Sequence, residues 1–127
     1  MLNSSTIKSE ALRLGFFTSG IARAERVSPE EERSYREWLG NGCHASMAYL
    51  EQNLEKRLDP RLLVEGVKSI VAVALSYAPV EQFPEGELQI AAYALGKDYH
   101  DVMKARLRLL AEAIGAKDYR VFCDSAP

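Results

Sequence analysis

Apolar side chains recur at helical spacing from the start of the chain. Ile7, Ala11 and Leu14 share one face of a helix predicted over residues 4–14, with Gly15 placed to end it. Residues 16–22 follow as a predicted strand, in which Gly20 signals a bulge or a close backbone approach. Ser28, Pro29 and Glu31 make a helix start. The serine caps, the proline suits the first helical position, and the glutamate three residues on reaches back to the cap. That helix is predicted to about Leu39 and stops in Gly40, Asn41 and Gly42. A further helix is predicted over 45–56, where Met47, Leu50 and Leu54 form one stripe.

Asp59 and Pro60 open a short helical turn through Val64. Residues 68–77 read as the clearest strand, continuous enough in apolar content to be central and covered on both faces. Pro79 and residues 84–86 bracket an exposed loop, and 88–95 is ambiguous between strand and helix. A long helix is predicted from Asp98 to about Ala113, with Val102, Met103, Leu107, Leu110 and Ile114 facing the core and Gly115 after its end. Residues 119–123 read as a short closing strand, with Asp124 the first residue to leave it. Helices thus separate at least three strands, which argues an α+β fold with a central mixed sheet flanked by helices.

Composition narrows the class. At 127 residues the chain has the length of one domain, and 47% hydrophobic with 27% charged residues is ordinary for a folded soluble protein. A net charge of −2 gives no overall electrostatic pull toward nucleic acid or anionic lipid, although it leaves room for a local basic patch. No apolar run reaches the roughly 20 residues that span a bilayer, and the first residues lack a signal-peptide pattern, so no membrane partner and a cytoplasmic location are expected. Cys43 and Cys123 have no metal-ligand spacing. They read as two free thiols, the second buried in its strand, and no metal site is expected.

Two places carry candidate chemistry. Residues 93–100 gather Tyr93, Gly96, Lys97, Asp98, Tyr99 and His100 around a helix start, where Gly96 permits a close backbone approach and Lys97 could complement an anion. The plainer reading of the same residues is Asp98 as an N-cap and Tyr99 as a core wedge. Asp124, at a strand end, is either a turn residue or a general acid, a partly enclosed carboxyl with raised proton affinity. His44 follows a glycine turn and reads as a surface-loop histidine. Arg57 and Arg61 flank Asp59 and Pro60, where they either bind phosphate or form a solvated salt-bridge network.

Taken in order, these residues resemble the N-terminal region of the epoxyqueuosine reductase family. The resemblance rests on Leu14, Gly15 and Phe16 with Gly20, Ile21 and Ala22, and on Trp38, Leu39, Gly42, His44 and residues 47–50. It continues through Arg57, Asp59, Pro60, Arg61, Leu63, Val64 and residues 67–69, then Tyr93, Ala94, Gly96 and residues 98–100, and closes with Asp124, Ser125, Ala126 and Pro127.

The resemblance implies an oxidoreductase that removes the epoxide oxygen of epoxyqueuosine in tRNA, using cobalamin and two four-iron iron–sulfur clusters. It implies a nitroreductase-like fold, with residues 1–127 forming a single, incomplete cobalamin-binding domain. A downstream ferredoxin-like domain, absent from this chain, would carry both clusters and act in cis. By the same resemblance Asp124 is the proton donor, and Gly96, Lys97, Asp98, Tyr99, His100 and Arg57 are the cofactor-binding candidates. Alone, the chain is expected to be catalytically silent. A non-catalytic binding or scaffold module, or a flavin-binding relative of the same fold, is the alternative.

Overall fold

A computed structural model describes residues 3–78 and 83–124. The chain divides into two compact units. The first comprises residues 1–20, 71–116 and 121–123, and the second 21–70, 117–120 and 124–127. The described residues build a small α+β structure of four α-helices, three short 3-10 turns and one two-stranded sheet.

In the first unit, α1 (Ser4–Arg13) starts where the Asn3 side chain accepts the Thr6 amide at 2.8 Å. Its inner face delivers Ala11 to a core shared with Phe16 and with Leu110 of α4 (Tyr99–Ala113). Gly15 holds φ at +89°, which lets Phe16 turn into that core. A Cβ at Gly15 would lie 2.9 Å from Nη1 of Arg106 on α4, a flexible side-chain end that can move aside, so it is the left-handed backbone that favours glycine there. Met103, Leu107 and Ile114 line the core, as the helical spacing of α4 predicts.

β1 (Thr18–Arg23) and β2 (Ser69–Ala74) pair antiparallel. The Phe17 amide donates to the Ala74 carbonyl at 2.8 Å at one end of the pairing, and the Ala24 amide donates to Lys68 at 3.0 Å at the other. β2 is covered on one face only, which corrects the expectation of a central strand buried on both. Val71, Val73 and Leu75 pack against the core, while Ile70, Ala72 and Ala74 are exposed. The run that looks continuous in hydrophobicity alternates in size, and the alanines carry the thin face.

In the second unit, α2 (Pro29–Gly40) has the predicted capping box. The Glu31 amide donates to Ser28 Oγ, and the Ser28 amide donates to the Glu31 carboxylate. A four-residue ion network ties this helix to α3 (Leu54–Leu58). Arg26 grips Glu32 with two bonds of 2.9 Å and reaches Glu55 at 3.0 Å, while Arg36 bonds both carboxylates from the other side. Leu58 is buried beneath, and its carbonyl accepts the Val27 amide at 2.9 Å.

The helix expected over 45–56 does not form. Turns occupy 41–46, a 3-10 turn spans Ala48–Leu50, and α3 begins only after Asn53, which is left-handed at φ 53°. The carbonyls that a helix would use are taken by side chains. Tyr35 Oη donates to Leu50 at 2.7 Å, and Arg57 donates to Tyr49 at 2.8 Å and to Gln52 at 3.2 Å.

Residues 119–123 are not a strand. No strand is assigned over them, and Tyr119 and Phe122 are exposed. The sheet of the described residues is therefore an antiparallel pair rather than a mixed sheet of three strands or more. The ambiguous stretch before α4 becomes a 3-10 turn, Ala92–Ala94, and the turn after Pro84 is exposed as expected. Pro79, at the start of that predicted loop, and the motif residues Ser125, Ala126 and Pro127 lie outside the described residues.

Candidate functional site

The segment 93–100 forms a shallow depression of about 380 Å³ lined by Tyr93, Ala94, Gly96, Lys97, Asp98, Tyr99 and His100. Three local features shape it. The 3-10 turn Ala92–Ala94 presents Tyr93, Gly96 reverses the chain at φ 79°, and Asp98 caps α4. Asp98 Oδ1 accepts the His100 backbone amide at 2.9 Å and lies 2.9 Å from Nδ1 of the same residue's ring. The backbone bond first, and the ring contact second, hold the Asp98 carboxyl below its ordinary range.

The aromatic groups are ordered against one another. The Tyr99 and His100 rings stack with centroids 4.1 Å apart, and Tyr93 meets Tyr99 edge-on at 6.2 Å. A Cβ at Gly96 would meet nothing within 4 Å, so that stretch of backbone is open to approach. The result is a rim with two phenols, an ammonium, an imidazole and a capped carboxylate. Such a set suits hydrogen bonding to a large polar-fringed ligand along one edge. The N-cap reading of Asp98 holds, and the same residue lines the depression.

Other candidates fall differently. Asp124 is exposed rather than enclosed, and its backbone is left-handed at φ 54°, a conformation that aspartate tolerates at turns. It belongs to the second unit, and residues 93–100 to the first. Arg57 also belongs to the second unit. There it closes the turn over 49–57 through its two carbonyl bonds and sits over the Tyr49 ring at 5.8 Å. Arg61 pairs with Asp59 at 2.7 Å, the salt-bridge alternative raised by the sequence. Cys123 is half-buried and Cys43 exposed.

His44 contradicts the surface-loop reading: it is buried, with 6% exposure. Its Nε2 pairs with the Glu51 carboxylate, its ring lies 5.8 Å from Trp38, and its Nδ1 has no hydrogen-bond partner among the described residues. Tyr35 stacks on Trp38 in turn, also at 5.8 Å. A signal was present in the sequence, since Tyr35 and Trp38 lie one helical turn apart and precede a glycine turn. An open depression of about 480 Å³ runs along α2 past Glu30, Glu31, Ser34, Tyr35 and Trp38. Its Glu31 is committed to the capping box.

Comparisons with known proteins connect these features. The sequence model of the family described as "Epoxyqueuosine reductase QueG, DUF1730" matches residues 57–125. A protein from Cellulophaga algicola named epoxyqueuosine reductase is 44% identical over 129 aligned residues, covering 98% of this chain and 42% of that protein. One of the same name from Leadbetterella byssophila is 45% identical with the same coverage. The chain thus spans about 42% of the length of these curated relatives. The solved epoxyqueuosine reductase of Streptococcus thermophilus superposes with a TM-score of 0.73 at 26% identity, over 90% of this chain and 31% of the other.

Proposed function

The chain belongs to the family of epoxyqueuosine reductase QueG, and from that membership we propose that it is the cobalamin-holding part of an oxidoreductase acting on tRNA. The reaction is the reductive removal of the epoxide oxygen of epoxyqueuosine. The observation that carries this reading is the family match over 57–125, which takes in residues 93–100 and Asp124 together. The relatives extend well beyond this chain's length. A ferredoxin-like domain with two four-iron clusters, acting in cis, is the electron source in this proposal. The cobalamin-binding domain to which this chain contributes is nitroreductase-like in the same proposal. A tRNA substrate places the enzyme in the cytoplasm, and no helix among the described residues is long and apolar enough to cross a membrane.

The 93–100 rim fits one edge of cobalamin. A corrin is fringed with carboxamides, which both donate and accept hydrogen bonds, and the rim offers both kinds of partner beside an unobstructed Gly96 backbone. When bound, the cofactor supplies the low-potential electrons that open the epoxide. In that scheme Lys97, Asp98, Tyr99 and His100 orient the macrocycle edge, Gly96 allows it close, and Tyr93 screens it from water. Arg57 acts at one remove, by fixing the turn over 49–57. Asp124 is the proton donor in this proposal. Its carboxyl Oδ delivers the proton to the substrate as negative charge develops there.

Two measurements test the reading. In the full-length enzyme, Asp124→Asn keeps the shape and removes the acidic proton, so turnover falls by about a hundredfold or more with cobalamin binding retained. Near-normal turnover would remove the proton-donor role. Spectroscopic titration of the 127-residue chain with cobalamin should show weak binding, because only one edge of the site is built here. A flavin bound in preference to cobalamin would overturn the assignment and favour the flavin-binding alternative.

A further inference from the structure

In the second unit, three rings meet and are tied at both ends to adjacent residues. Trp38 of α2 contacts Tyr35 and His44, each with its centroid 5.8 Å away. Tyr35 Oη donates to the Leu50 carbonyl at 2.7 Å, and His44 Nε2 pairs with the Glu51 carboxylate. The segment between these ties is flanked by Gly42 and Asn53, both left-handed. Of residues 43–52, all described, only His44 is buried.

That burial is costly. A carboxylate only accepts, so Nε2 donates to Glu51, and Nδ1 stays buried with no hydrogen-bond partner among the described residues. Ala45, the next residue, is held at φ 51°, where an alanine is strained. The bonds from Arg57 to the Tyr49 and Gln52 carbonyls are exposed, so water can replace them. None of the buried apolar residues lies in this segment. Opening it would hydrate Nδ1 and relax Ala45 without breaking a core.

We propose that residues 43–52 form a strap, latched by His44, which opens and closes as one body while α2 stays folded. Closed, it holds His44 against Trp38. Open, it frees that ring, which with Tyr35 already lines the depression along α2. The strap thereby gates access to the aromatic pair. This inference does not depend on the cofactor reading above.

Amide hydrogen exchange followed by NMR reads the opening. The Cys43, Met47 and Leu50 amides, bonded to the carbonyls of Trp38, His44 and Met47, sample the strap along its length. In the wild-type protein they should share one level of protection, below that of amides in the middle of α2. They should also respond little to sub-denaturing urea, because opening exposes little surface. Glu51→Ala removes the latch's partner and should speed all three together, by about five- to a hundredfold. Ser28→Ala weakens α2 at its cap, so it should speed the α2 amides about fivefold and leave the strap amides unchanged. Strap amides that follow α2 in Ser28→Ala, or that answer Glu51→Ala singly or not at all, overturn the proposal. So does strap exchange as sensitive to urea as that of α2, a wild-type measurement that decides alone should Glu51→Ala fail to fold.

Discussion

Phe16 and Phe17 are neighbours with opposite fates, 2% and 74% exposed. Phe16 fills the core between Ala11 and Leu110, so Phe16→Ala should cost about 3–5 kcal/mol in a urea titration. Phe17→Ala should stay within about 0.5 kcal/mol, and a comparable loss at both would mean that the core is misassigned. The sequence marks both as apolar without saying which points inward. Gly15 decides it, because its left-handed backbone sets the chain's direction one residue earlier. His44 shows the same limit for a polar residue. Its burial depends on Trp38 beneath it and on Glu51, seven positions on, and a one-dimensional pattern shows neither contact. Glu51→Ala would leave both ring nitrogens of a buried histidine unpartnered, at a cost of about 1–3 kcal/mol. An unchanged midpoint would show that the pairing contributes nothing to stability.

Among the elements, those governed by local chemistry were legible. α2 starts where Ser28, Pro29 and Glu31 require, and α4 starts where Asp98 does, because capping is a transaction within four residues. Ser28→Ala should therefore lower stability by about 1 kcal/mol by thermal or urea unfolding. Ser28→Asn, which can still cap, should recover most of it, and equal losses in the two variants would show that the cap oxygen is not the cause. The turn region over 45–56 was not legible, because the groups that satisfy its carbonyls come from Tyr35, ten or more residues upstream, and from Arg57. Residues 119–123 show a different limit. Their composition is that of a strand, but strand formation is set by the ladder a segment joins, which is not encoded in the segment itself. The candidate site divides along the same line. The 93–100 depression is lined by a contiguous stretch that a sequence can single out, whereas the exposure and left-handed backbone of Asp124 leave no mark in the pattern.

At the scale of the whole molecule, the two units rest on different forces, and acid should separate them. The first unit centres on the apolar cluster of Ala11, Phe16 and Leu110. The second relies on carboxylates held by arginines. Arg26 and Arg36 bring the Glu32 carboxyl down from 4.5 to about 2, and Arg61 brings Asp59 from 3.8 to about 2. A carboxyl whose folded pKa lies below its unfolded value contributes stability that is complete above the unfolded value. That contribution drains away as pH falls toward the folded value, because the unfolded chain takes up protons first. The second unit should thus hold its full stability above about pH 5 and lose it progressively toward pH 2. The single tryptophan, Trp38, lies in that unit and reports it by fluorescence, while far-UV circular dichroism also follows α1 and α4 of the first. Urea midpoints read by Trp38 should fall across this window ahead of the ellipticity midpoints. Glu32→Gln should be less stable at neutral pH and flatten the acid slope, since the titrating group is gone. A slope unchanged in both Glu32→Gln and Asp59→Asn would mean that these ion pairs persist in the unfolded chain, and that the acid response of the second unit has another origin.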